Sequence, residues 1–511
     1  MLKCFCRGSL ANLRNNVRVP TKLRINKFST SNRNHTSYDK DEFRRFSRGE
    51  VERLPFSDPY FEHLEANYLE APLDLNTSSV SESPLLTRNN VGLGFLILNS
   101  EYIGSKCVSN LYRELLELEN NVYKRFVVLT SMSRNVFSKG LDPSELHLFH
   151  DSILKLSSLK ETPLKKNPDF KLDLINLNLE RFKKALEEYV KNVLQLLYII
   201  KTYRKPLIIY GNGQMESFGS NLCFISSFSS CYKHSTYQAN TDQTLFNNFG
   251  STFVLSNLRG NLGKYLLLTN DLLVGKDLIW SGLAKKFIEP SSINNIQIIS
   301  DRLVELPEKY VESYINEFNI NLSSPDFKLK NYESVINEHF KHDNIRDIVA
   351  SLKNSFNKAK SKNVNDSDIP NFEQTILENM PKSSDTNSSG VNVLDGMLEI
   401  IKKLKVTKYK ILSDLKIGVN EWSSMVNLSY KSTSTIKQEN AKLLYNLIME
   451  ILLIESLKLE SKLFFKSFRM DVDFSSVFDS LFDRSTSSYS GHESGNVKDA
   501  LACMKQFLNI K

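Results

Sequence analysis

Lys205-Pro206-Leu-Ile-Ile-Tyr210-Gly-Asn-Gly213-Gln-Met-Glu-Ser217-Phe218-Gly219-Ser-Asn-Leu222 decides the fold. Residues 206–210 form a short apolar, β-branched run that reads as a buried strand. It ends in Gly211-Asn212-Gly213, just ahead of Ser217-Phe218-Gly219. The same order stands upstream. A buried-strand run at 91–98 leads into an amphipathic helix at about 103–120 and a second strand at 125–130, and then the loop Asn135-Val-Phe137-Ser-Lys-Gly140-Leu141-Asp142. A helical insert at about 173–202 separates that loop from the third strand. Strands alternating with helices predict a mainly parallel sheet covered on its faces, with ligands where strand ends meet helix starts. Both glycine loops follow a strand. Two backbone N–H groups from separate loops can converge on one oxygen, the arrangement that stabilises an oxyanion. Either loop alone is an ordinary turn.

With 511 residues and 41% hydrophobic content, the chain is long enough for several domain-sized units. The best candidate for a membrane span, residues 443–459, is interrupted by Asn446, Glu450 and Glu455 and reads as a buried helix. Six scattered cysteines show no zinc-ligand spacing and imply reduced thiols. Eight basic residues precede the first acidic one, Asp39, among Ser, Thr, Asn and Leu, which is mitochondrial presequence composition; a basic tail is the bland alternative. The chain carries 66 basic and 58 acidic residues, so without those eight the body is balanced at 58 against 58. Global charge therefore gives no support for nucleic-acid binding, and only a local run such as Lys402-Lys403-Leu404-Lys405 with Lys408 and Lys410 offers a patch. Such a run more often marks a solvated helix face.

The expected organisation is a presequence at 1–38, a polar extension at 39–90, an α/β core at 91–290, a helical extension at 291–360, a flexible linker at 361–395 and a helical region at 396–511. In the last of these, apolar residues recur at helical spacing over 436–468 on most faces, so that helix is either wedged in a core or covered by a partner. His147 and His150 with Asp151, and His339 and His342 with Asp343, have helical spacing for metal ligation but no third ligand nearby, and no metal is expected. Gly260-Asn-Leu-Gly263-Lys264 lacks phosphate-loop spacing.

Order, spacing and flanks together resemble the crotonase (enoyl-CoA hydratase/isomerase) superfamily, in particular its 3-hydroxyisobutyryl-CoA hydrolase branch. Phe137, Gly140 and Asp142 match that family's K-A-F-x-A-G-G-D loop. Lys205-Pro206 with Gly213, Gly219 and Leu222 match K-P and then G-x-x-x-G-G-G-x-x-L. Residues 256–284 resemble the helix pair ending in G-L-A/V, and Asp473-Phe474 resembles part of the branch's D-F-x-E-G-V-R-A segment. The resemblance implies a spiral β-α-β core with a helical C-terminal region, no cofactor, and an acyl-CoA thioester as substrate. The thioester carbonyl would be held by N–H groups near Leu141 and Phe218-Gly219. It also implies two catalytic acids, and here the sequence departs. Thr241 stands in the place of the first, with Asp242 one residue away, and Asn248 in the place of the second; Glu188 loosely resembles a third polar position. Thioester hydrolysis needs a carboxylate to activate water or attack the acyl carbon, so impaired or lost catalysis is expected. The alternative is a non-catalytic component of the small subunit of the mitochondrial ribosome. Its partners would be mitoribosomal proteins or rRNA in the matrix.

Overall fold

The computed structural model describes residues 83–90, 92–161, 168–239, 248–288, 302–306, 314, 318, 327–361, 393–418, 422 and 436–489. The expected presequence lies outside the described residues, as do most of the polar extension and most of the linker. β1 (Leu85–Asn90) runs antiparallel to β2 (Gly92–Leu98), so the core begins inside the stretch expected to be polar extension. There follow β3 (Tyr102–Ile103), α1 (Ser105–Asn120), β4 (Lys124–Ser131), β5 (Val136–Ser138) and β6 (Gly140–Leu141). A helical pair, α2 (Pro143–Glu161) and α3 (Pro168–Lys201), forms the insert. Next come β7 (Leu207–Gly211), β8 (Gln214–Glu216), α4 (Ser217–Ile225), β9 (Phe228–Tyr232) and β10 (Thr236–Gln238). After these stand α5 (Ser251–Ser256), α6 (Leu262–Thr269), β11 (Leu273–Val274), α7 (Lys276–Ser281) and β12 (Lys286–Ile288). The described remainder is helical: α8 (Glu333–His339), α9 (Ile345–Ser361), α10 (Val393–Asp414), α11 (Ile436–Ser467) and α12 (Ser475–Tyr489).

Three times a strand of the large sheet turns directly into a short strand of a second sheet: β4 into β5, β7 into β8, β9 into β10. The large sheet runs β1-β2-β4-β7-β9-β12 and is parallel beyond the first pair. The smaller runs β11-β10-β8-β5, and β3 pairs with β6. This repeated strand–turn–strand path is the spiral α/β core that the resemblance implied.

The strands are apolar runs because both of their faces are covered. On β4, Val127 and Leu129 enter the main core while Phe126 and Val128 enter a smaller cluster on the opposite face. On β7, Leu207 and Ile209 part from Ile208 and Tyr210 in the same way. Successive side chains on a strand point to opposite faces, so each alternate pair finds its own layer. α1 follows helical spacing instead, burying Cys107, Val108, Leu111, Leu115 and Leu118 along one stripe. α11 is wedged in the core: Leu447, Ile448, Ile451, Ile454 and Leu457 are fully buried, and it packs on α3, α5 and α10. Full burial of each such side chain stabilises by roughly 1.5–3 kcal/mol. Among the described residues, no helix is long and apolar enough to cross a membrane.

Candidate functional site

The two glycine loops meet. β6 is tied in parallel to β3, which brings Gly140 and Leu141 alongside Tyr102 and Ile103, and α4 starts at Ser217 directly against them. Gly140 has φ 103°, and a Cβ placed on it would lie 3.0 Å from the Ser217 Cβ and 3.4 Å from the Phe218 nitrogen. A Cβ on Gly219 would lie 2.5 Å from both Cβ and Oγ of Ser138. Only glycine permits this mutual approach of two backbones. Ser138 braces it, its Oγ accepting from the Gly140 N–H at 3.1 Å and donating to the Glu101 carbonyl at 3.2 Å. Ser217 holds φ 47°, a left-handed conformation, at the first position of the family's triple glycine.

The side chains around this junction face inward. Phe218 is fully buried and Leu141 nearly so, both within the main core with Met215 and Leu222. The middle residue of the second loop thus contributes a phenyl ring to the interior.

Asn248 is buried, and both ends of its carboxamide are used. Its Nδ2 donates to the Ala239 carbonyl at 3.0 Å, and its Oδ1 accepts from Asn221 Nδ2 at 2.8 Å. Asn221 also donates to the Phe249 carbonyl at 2.9 Å, and Ser251 Oγ donates to the Asn248 carbonyl at 2.8 Å. Asn248 is therefore a lock between α4 and the chain entering α5. Thr241 and Asp242 lie outside the described residues. Glu188 is exposed on α3 and pairs with Lys191 at 3.7 Å. Its neighbour Tyr189 is the residue of that helix that reaches the junction, donating from its hydroxyl to the Ile103 carbonyl at 3.2 Å. Burial, followed by the charges of Glu145 and Asp142, pushes the Tyr189 phenol well above its usual range, so it serves as a donor and not a base.

The sequence gives no direct sign of Glu460, which arrives from α11. Fully buried, it accepts from the Gly250 N–H at 2.6 Å, from the Thr252 N–H at 2.9 Å and from the Thr252 hydroxyl at 2.6 Å. Burial raises its pKa from 4.5 to about 7 against the opposing pull of these bonds. A usable hint was its spacing: Ser456 and Glu460 fall four apart, between the apolar Ile454, Leu457 and Phe464, and polar groups buried there need a polar partner in the core. Near the junction, Glu145 holds the Ser105 N–H at 2.8 Å and also its hydroxyl, and Glu216 accepts from Gln214. A general base must reach the water it activates. Glu145 and Glu460 are engaged by backbone amides, and Glu216 by a side-chain amide.

The candidate histidines are placed elsewhere. His150 lies beside Asp151 and meets the Phe468 ring edge-on, whereas His339 bonds Ser351 Oγ through Nδ1 at 2.9 Å. Asp343 sits between Lys264 and Lys402, and Lys264 is buried with its ammonium on the His342 carbonyl at 2.8 Å, closing α8 against α6.

This chain belongs to the enoyl-CoA hydratase/isomerase family, whose model matches residues 98–391. It is similar to 3-hydroxyisobutyryl-CoA hydrolase-like protein 5 of Arabidopsis thaliana, 26% identical over 236 residues, which are 45% of this chain and 56% of that protein. It is also similar to small ribosomal subunit protein mS47. The Schizosaccharomyces pombe protein is 29% identical over 164 residues, covering 31% of this chain and 38% of its own length. The Neurospora crassa protein is 26% identical over 187 residues, 34% of this chain and 36% of its own. The chain thus spans about half or less of the length of these relatives. Among solved structures, an enoyl-CoA hydratase from Rhodobacter sphaeroides matches with a TM-score of 0.46 at 17% identity, covering 63% of this chain and 79% of that one.

Proposed function

We propose that this chain is a mitochondrial 3-hydroxyisobutyryl-CoA hydrolase-like protein that has lost thioester hydrolysis and serves as a structural component of the small subunit of the mitochondrial ribosome. The observation that carries the first half is Asn248. A carboxamide whose donor and acceptor are both engaged inside the core can neither activate water nor attack a thioester. The engaged carboxylates of Glu145, Glu216 and Glu460 point the same way, and so does the Phe218 ring, which we read as filling space an acyl group would need. The converging donor loops remain as the framework of the ancestral site.

The second half rests on the relatives named as small ribosomal subunit proteins and on the acid-free basic N-terminus, which suits import to the matrix. A folded core stripped of its reaction still offers a large rigid surface, and assembly uses that surface without needing chemistry.

The test is sedimentation of the tagged full-length chain from lysed mitochondria on a sucrose gradient. Co-migration with small ribosomal subunits is the expected result. Recovery only in the top fractions, together with turnover of 3-hydroxyisobutyryl-CoA, would overturn the reading.

A further inference from the structure

The turn between α1 and β4 carries two apolar side chains into solvent. Val122 is 83% exposed and Tyr123 81%, more than any other large hydrophobic residue described. The turn is pinned: Asn121 Oδ1 accepts from the Tyr123 N–H at 3.0 Å, and the Asn121 carbonyl accepts from the Lys124 N–H at 3.0 Å. It is also tied to the chain entering β7. Lys205 Nζ donates to the Asn121 carbonyl at 2.6 Å and to the Leu118 carbonyl at 2.8 Å, and the Val127 N–H donates to the Pro206 carbonyl at 3.1 Å. Val122 and Tyr123 thus share one corner of the molecule with Arg125, Arg204 and Lys205. Among the described residues, none of these three cations lies within ion-pair distance of a carboxylate. Arg125, exposed, donates to the carbonyls of Val304 at 2.6 Å and Leu306 at 2.7 Å. Arg204, also exposed, is bonded through its backbone N–H, which meets Glu119 at 2.9 Å, while its guanidinium is left to solvent. A carbonyl fixes a cation in place and leaves its charge standing. The nearby acids are mostly spoken for: Glu119 faces Arg484 at 2.6 Å and Glu117 faces Arg113 at 3.8 Å. Glu305, exposed between Val304 and Leu306, is a single charge against three.

We propose that this corner is a docking site for an acidic protein segment, whose carboxylates meet Arg125, Arg204 and Lys205 while an apolar side chain between them packs on Val122 and Tyr123. Charge complementarity selects the partner: a cationic corner attracts acids and repels a second copy of itself. Its composition suits a protein contact, since Tyr and Arg anchor such interfaces. The turn and Arg125 are already held by hydrogen bonds, so little further ordering is required when the segment arrives. An RNA strand fits less well. Proteins that follow a phosphate backbone commonly make about 6–10 cationic contacts, against the three cations here, and the valine offers a base edge no hydrogen bond. No observation used for this surface depends on the lost reaction or on the ribosomal relatives.

The experiment is a fluorescence-anisotropy titration of the purified full-length chain with a labelled synthetic peptide in which Asp and Glu flank a central Phe-Leu pair. Two control peptides have the same length: in one, Lys and Arg replace the acids, and in the other, Ser-Ser replaces Phe-Leu. A labelled single-stranded RNA is the fourth probe. Three variants are compared with wild type: R204Q, V122S/Y123S, and the control K402Q/K403Q on α10, whose lysines each have a carboxylate partner. Matching thermal melts by circular dichroism confirm that each is folded. The acidic Phe-Leu peptide is expected to bind, more weakly as KCl is raised, and the basic peptide is expected not to bind. R204Q should weaken binding about tenfold through the lost charge-assisted hydrogen bond. V122S/Y123S, and likewise the Ser-Ser peptide, should weaken it about tenfold through lost apolar contact. The α10 control should leave it unchanged. Failure of the acidic peptide to bind, equal binding by either control peptide, or an affinity that R204Q and the α10 control alter alike would overturn the proposal. RNA binding that R204Q abolishes, with no binding of the acidic peptide, would overturn it in favour of a nucleic-acid surface.

Discussion

Asn248 is held in the core through both ends of its carboxamide. Its amide group donates to Ala239 and its oxygen accepts from Asn221, so introducing an acid with Asn248→Asp would set a carboxylate against a carbonyl oxygen in a buried site. The expected outcome is a loss of about 1–3 kcal/mol in urea unfolding at neutral pH, with no thioester turnover gained. A variant as stable as wild type that hydrolyses thioester would contradict this. The carboxamide itself was legible in the sequence, at a position where the spacing of the resembled motif leads one to expect an acid. Its bonding was not, since Asn221 and Ala239 are brought to it by the fold. Glu188 and Tyr189 teach the same lesson: motif spacing pointed to the charged residue, whereas helix rotation, fixed by Leu186, Val190 and Val193 in the core, turns Tyr189 inward and leaves Glu188 in solvent.

At the scale of elements, α11 ties the C-terminal region into the core. Its Glu460 receives the amides of Gly250 and Thr252 and thereby joins the C-terminal region to the loop beside Asn248. Burial raises its folded pKa from 4.5 to about 7, so the folded state binds a proton more tightly than the unfolded chain does. Stability from this group is then fully present below about pH 4.5 and declines as the pH rises to about 7, by up to about 3 kcal/mol. Urea unfolding of wild type and Glu460→Gln across that range tests it. The advantage of wild type should shrink with rising pH, and a difference that stays flat or grows would count against this role for Glu460. A second clamp joins α12 to α1: Arg484 meets the buried carboxylate of Glu119 at 2.6 Å, and the other oxygen of Glu119 takes the Arg204 N–H at 2.9 Å. The helices themselves were legible from apolar spacing, and the expected 436–468 helix is found at Ile436–Ser467. These long-range partners, separated by 208 residues for Thr252 and Glu460 and by 365 for Arg484 and Glu119, leave no local pattern to read.

For the whole molecule, the strand–loop order around 205–222 was enough to anticipate a parallel α/β core, because the strands are apolar on both faces and β7 is punctuated by Gly211 and Gly213 where the chain turns into the second sheet. The short strands β8 and β10 were not anticipated. At three residues each they carry almost no periodicity, and they exist because β7 and β9 deliver them side by side. The molecule that results keeps the meeting of Gly140 with Phe218 and surrounds it with apolar and hydrogen-bonded interior. Loss of the family's reaction is tested most directly by incubating the purified full-length chain with 3-hydroxyisobutyryl-CoA and following release of free thiol. No turnover above the buffer rate is expected; turnover that disappears in Asp242→Asn would contradict it.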